Sequence, residues 1–81
     1  MKILKFFADW CQPCKALSMV IEGLELPYPI ENVDIDQNID AAKRYNVRTV
    51  PTVVLVNDSG DEVKRFSGIV NKDQFMKFLE V

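Results

Sequence analysis

The stretch Phe6-Phe7-Ala8-Asp9-Trp10-Cys11-Gln12-Pro13-Cys14-Lys15 changes its hydrophobic period at the centre. Residues 2–8 lead into it as a short apolar run broken by Lys5, which suits a largely buried strand. Beyond it, Ala16, Leu17, Val20, Ile21 and Leu24 recur at offsets of three and four, the spacing of one helical face. The pattern predicts a helix from Pro13 to Gly23, weakened at Gly23 and stopped by Leu26-Pro27-Tyr28-Pro29. Both cysteines therefore fall where a strand gives way to a helix.

That position has chemical consequences. Cysteines three positions apart close a small disulfide ring if the turn holds their sulfurs together. A thiol at a helix N-terminus faces unpaired backbone N–H groups and the positive end of the helix dipole. Both favour thiolate over thiol, so Cys11 is expected to be the reactive, solvent-facing sulfur with a depressed pKa. Pro13 suits the first turn, where its missing N–H would have no partner anyway. Cys14, one turn in, is expected to be shielded and to act as the resolving thiol. Taken alone, Cys-x-x-Cys also fits a pair of ordinary buried thiols or half of a metal site.

The rest of the chain continues the alternation of elements. Ile30 to Asp36 reads as a second strand, with Ile30, Val33 and Ile35 as its apolar residues and Asp34 and Asp36 between them. Asn38 or Asp40 caps a short helix through Tyr45, with Asn46 as a left-handed terminator. Thr52-Val53-Val54-Leu55-Val56 is the most strand-like run. Asn57 to Asp61 is turn chemistry, and Glu62 to Phe66 returns as a polar edge strand, completing a hairpin. After Ser67-Gly68, Asn71 caps a last helix whose buried stripe is Phe75, Phe78 and Leu79. The expected architecture is α/β, in the order βαβαββα, with a four-stranded mixed sheet and three helices.

Composition narrows the chemistry. Eighty-one residues, 48% of them apolar, fit a single domain spanning 1–81. Ten basic residues against twelve acidic ones leave a net charge of −2, with no basic footprint for nucleic acid or an anionic membrane. Two cysteines and no histidine argue against a disulfide scaffold and against a four-ligand zinc or rubredoxin-type centre. The acids at 34, 36 and 40 lack the glycine and closing glutamate of a calcium loop. Met1-Lys2 runs directly into the first strand, and the apolar run is too short for a signal segment or membrane span. The expectation is a cytoplasmic monomer, in a compartment where a close cysteine pair has redox or metal chemistry.

Several separated segments, in order, carry a family likeness. Phe7-Ala8-Asp9-Trp10-Cys11-Gln12-Pro13-Cys14-Lys15 resembles the active-site segment of thioredoxins, usually Trp-Cys-Gly-Pro-Cys-Lys. Val33-Asp34-Ile35-Asp36-Gln37-Asn38 resembles their second-strand region, Val50-Pro51-Thr52 their cis-proline loop, and Ser67-Gly68-Ile69 the glycine before their last helix. The likeness spans essentially the whole chain. It lacks the N-terminal strand and helix usual in thioredoxins, which leaves the trimmed core typical of glutaredoxins and small glutaredoxin-like thioredoxins.

The resemblance implies a thiol–disulfide oxidoreductase that reduces protein disulfides through a Cys11–Cys14 dithiol/disulfide cycle. It implies no dissociable cofactor, disulfide-containing protein substrates, and a thioredoxin reductase or glutathione as electron source. Trp10, Pro13, Val50, Pro51, Gly68 and Ile69 would form the apolar docking patch, with the Val50 backbone holding the substrate strand. The Trp10 indole N–H is expected to reach Asp36.

Two positions depart from the family. Lys5 stands where thioredoxins carry a buried acid, and Asn32 where they carry a neighbouring lysine. Lys5, through this departure, and Asp36, through its expected bond to Trp10, are the expected modulators of the site, and the alternative for Lys5 is a lysine whose head snorkels to water.

Other readings predict different features. A glutathione-dependent glutaredoxin fits the short chain and Arg48-Thr49-Val50-Pro51. However, Gln12-Pro13 departs from the common Pro-Tyr, and residues 68–72 lack a Gly-Asp-Asp-like grip for glutathione. A metal-carrying module of ferredoxin-like βαββαβ order would end on a strand, whereas this chain is predicted to end on a helix. A redox-independent binding subunit would keep its partner after Cys→Ser substitution.

Overall fold

Alternation along the first strand divides the apolar residues between two cores. The protein, described over residues 1–81 by a computed structural model, has β1 (Lys2–Phe7), α1 (Gln12–Ile21), β2 (Ile30–Asp34), α2 (Ile39–Arg44), β3 (Thr52–Val56), β4 (Glu62–Ser67) and α3 (Lys72–Phe78). This is the expected βαβαββα order. The strands form one mixed sheet in the order β2-β1-β3-β4. β1 is parallel to β2, with α1 in the crossover, and antiparallel to β3, which pairs with β4 as a hairpin.

Ile3 packs on one face with Leu17 and Ile21 of α1, Val53 and Leu55 of β3, and Phe75 and Leu79 around α3. Leu4 and Phe6 pack on the other with Val33, Val54 and Val56, against the partly buried Ala41 and Tyr45 of the α2 region. Thus α1 and α3 cover one face and α2 the other. β3 is buried along its whole length, which accounts for its nearly unbroken β-branched run. Each fully buried large side chain contributes roughly 1.5–3 kcal/mol through loss of apolar surface to water.

Element ends shift by one or two residues from the sequence reading, for identifiable reasons. α1 starts at Gln12 because Cys11 is its N-cap. It stops at Ile21 because Glu22 leaves the helical region and Gly23 turns with φ +82°. β2 ends at Asp34 rather than Asp36. The Asp34 carbonyl accepts from Gln37 and Asn38 at 3.2 and 2.8 Å, and its carboxylate accepts the Asp36 N–H at 2.9 Å. These bonds close a turn.

Ile30, Val33 and Ile35 do not share a face. Ile30 packs on the α1/α3 core, and Val33 and Ile35 on the opposite core. The β3–β4 turn is organised by Asn57, whose side chain accepts the N–H groups of Ser59 and Asp61, both at 3.0 Å.

At the C-terminal end, Asn71 and Gln74 form a reciprocal capping box. Phe66 on the edge strand meets Phe75 and Phe78 edge-on, with centroids 6.0 and 4.8 Å away. Phe75 and Leu79 are buried, whereas Phe78 stays partly exposed beside the edge strand.

Candidate active site

Cys11 is the N-cap of α1 and is disulfide-bonded to Cys14. Its backbone is extended, and its Sγ accepts the Cys14 N–H at 3.1 Å, satisfying one of the donors that a helix start leaves free. Pro13, between them, is exposed.

The expected contrast in exposure between the two sulfurs is absent. Cys11 is 4% exposed and Cys14 3%. In the bonded state each residue covers the other, and Ala8, Phe7, Ile35 and Val50 pack around the pair. What distinguishes them is direction. Cys14 lines a cleft beneath the motif, and Cys11 is not among its lining residues.

The loop before β3 packs on the disulfide, and the segment before α3 is tied to that loop. The Val50–Pro51 peptide bond is cis, Pro51 is buried, and the Val50 side chain packs against the cysteine cluster. The Pro51 carbonyl accepts the Gly68 N–H at 2.9 Å, which ties the segment before α3 to the proline loop. Gly68 has φ +90°, a conformation that glycine adopts without steric cost. Below them, the buried Thr52 hydroxyl bonds to the Thr49 carbonyl at 2.7 Å and to the Ser67 hydroxyl at 2.9 Å.

The expected docking residues split by exposure. Trp10 is 68% exposed and Ile69 54%, large apolar surfaces left to water. Trp10 Nε1 donates to Asp36 Oδ2 at 3.0 Å, as the sequence reading anticipates.

The cleft has a volume of about 590 Å³ and is lined by Lys5, Asp9, Cys14, Ser18, Glu22 and Asn32 among others. Lys5 does not snorkel. Only 7% of it is exposed, and its Nζ donates to Ser18 Oγ. None of the three ion pairs includes it, and burial pulls its pKa below the ordinary 10.5. Asn32 of β2 lies in register with Lys5. Ser18 is the residue the sequence reading missed. Its signal was present, because it follows Cys14 by four positions on the same helical face.

No group of three or more His, Cys, Asp or Glu side chains is arranged to hold a metal ion. No helix is long and apolar enough to cross a membrane.

Comparison with known proteins agrees with this geometry. A family profile described as Thioredoxin matches residues 1–81. Thioredoxin of Chlamydia trachomatis is 44% identical over 80 residues, covering 95% of this chain and 78% of that protein. Mitochondrial thioredoxin of Mus musculus is 38% identical over 82 residues, covering 96% of this chain and 49% of that protein. Among solved structures, a mutant thioredoxin from Halobacterium salinarum superposes with a TM-score of 0.87 at 35% identity, covering 96% of this chain and 70% of that one. Fasciola hepatica thioredoxin gives 0.84 at 40% identity, covering 96% and 76%.

Proposed function

The chain belongs to the thioredoxin family and is a thiol–disulfide oxidoreductase, and we propose that it works as a reductant of protein disulfides with Cys11 as nucleophile and Cys14 as resolving thiol. The Cys11 thiolate attacks one sulfur of a substrate disulfide, forms a mixed disulfide and expels the other sulfur as a thiolate. Cys14 then attacks Cys11 Sγ, which releases the reduced substrate and leaves the Cys11–Cys14 disulfide. Two electrons pass from the dithiol to the substrate. The observation that carries this reading is the Cys11–Cys14 disulfide at the N-terminus of α1, packed against Val50 beside the cis Pro51.

Each neighbouring group has a part in the proposal. The helix N-terminus favours the thiolate at Cys11. Trp10, Pro13, Val50, Pro51, Gly68 and Ile69 form the docking surface, on which the Val50 main chain pairs with an extended substrate segment. Residues 1–81 act as one domain, monomeric and cytoplasmic. No cofactor beyond the disulfide takes part, and a thioredoxin reductase supplies the electrons.

Insulin-disulfide reduction, driven in parallel by a thioredoxin reductase and by glutathione, tests this. Turnover with the reductase and little with glutathione is expected. The reverse order makes the chain a glutathione-dependent enzyme, and no turnover with either removes the reductant role.

A further inference from the structure

A lysine buried without a carboxylate is unfavourable, because its charged form loses water and gains no counter-charge. Lys5 is such a residue. It lies opposite Asn32 of β2 and Val53 of β3, neither of which carries charge. α1 presents Ser18 and, one turn earlier on the same side, Cys14 to the cleft that Lys5 lines. The other charged groups lining the cleft are Asp9, Lys15 and Glu22, and all three are exposed. The buried group in this cleft that becomes an anion during the reaction is Cys14.

We propose that Lys5 is the proton-exchanging partner of Cys14, the two forming an ammonium–thiolate pair in the dithiol state. The inference rests on the reductase mechanism above and assigns its proton-exchanging residue. In the mixed disulfide, the Cys14 thiol gives its proton to the Lys5 amine on the Ser18 side of the cleft. The thiolate lone pair attacks Cys11 Sγ, the bond from Cys11 to the substrate sulfur breaks, and that sulfur leaves with the bonding pair. The Lys5 ammonium then returns the proton to the departing thiolate or to water in the cleft. No further oxidant or reductant is required.

The sign of the charge matters. A carboxylate at this position would oppose a thiolate beside it, whereas an ammonium favours one. Burial also weakens the hold of the amine on its proton, which brings it closer to that of a thiol. In the proposed pair one proton is shared between the amine and the thiol.

The test uses the full chain carrying Cys11→Ser, which leaves Cys14 as the sole thiol. Ultraviolet thiolate absorbance is followed against pH with Lys5 intact, with Lys5→Met and with Lys5→Arg. Lys5→Met is expected to raise the Cys14 pKa by about one unit, roughly tenfold less thiolate at a fixed pH below it. Lys5→Arg keeps the charge and is expected to prevent most of that rise. An equal Cys14 pKa with Lys5 and with Lys5→Met overturns the proposal. Should Lys5→Met fail to fold, NMR of the Lys5 side chain in the unmodified chain decides. Lys5 should titrate at higher pH in the dithiol than in the disulfide form, and identical titrations overturn the pairing. Insulin reduction by the unmodified chain is measured alongside. Turnover without the pKa shift rejects Lys5 and keeps the reductase, whereas the shift without turnover supports the pair and rejects the reductase.

Discussion

Trp10 donates its indole N–H to Asp36 at 3.0 Å, joining the residue before Cys11 to the turn that follows β2. With 68% of Trp10 exposed, packing does little to hold the ring, and this bond is what ties it to the turn after β2. Asp36→Ala should therefore change stability by less than about 1 kcal/mol while raising KM for a protein disulfide more than it lowers kcat. Asp36→Asn keeps an acceptor and should retain most of the affinity. Fluorescence of Trp10, the single tryptophan, reports the loosening directly. An unchanged KM and spectrum in Asp36→Ala would remove the positioning role.

Gly68 separates backbone strain from packing. A Cβ added there meets no atom within 4 Å, yet φ is +90°. Gly68→Ala should cost about 1–2 kcal/mol through the backbone alone, read as a lower urea midpoint with an unchanged slope. Because Gly68 N–H bonds to the Pro51 carbonyl, substrate KM should rise as well. A variant as stable as the parent would show that the loop relaxes to another conformation without loss.

The edge strand supplies a pH dependence. The hydrogen bond from Arg65 holds the Glu62 carboxyl below its ordinary 4.5. On acidification the unfolded chain therefore takes up the proton first. The stabilisation is fully present above 4.5 and fades as pH falls through the lower folded value. Both side chains are about one-third exposed, so it should amount to less than about 1 kcal/mol. Urea titrations of the parent and Glu62→Gln should differ near neutrality and converge in acid. A constant difference across that range would assign the effect to packing.

Reactivity should distinguish the cysteines where exposure does not. Cys11 sits at the helix N-cap, among the amide groups that stabilise a thiolate, so limiting iodoacetamide should label it first in the reduced chain. Cys14→Ser should accumulate mixed disulfides with substrate, because no second thiol is left to resolve them. Faster labelling of Cys14, read by peptide mass mapping, would exchange the two roles.

Local sequence patterns carried the element order, the helix start beside Cys11, the strand-like run of β3 and the Asn71 cap of α3. Each depends on interactions within a few residues of chain: apolar period, cap chemistry and turn propensity. The packing of Val50 against the cysteines and the tie between Pro51 and Gly68 were legible only through family likeness, because these contacts join residues distant in sequence.

What the tertiary structure decided is which way side chains point once the layers close. Period-two alternation gives a strand two faces without saying which helix covers each. Ile30 and Val33, three positions apart, accordingly entered opposite cores. A lysine has a long flexible stem, so its strand position left its head free to reach water or to turn inward. Ser18 across the cleft, together with packing by α1, set it inward. Likewise the spacing of Cys11 and Cys14 allowed the ring, but only the packing of Ala8 and Val50 buried both sulfurs and left Cys14 on the side of Lys5. Contacts between residues distant in sequence set these outcomes, and no local pattern encodes them.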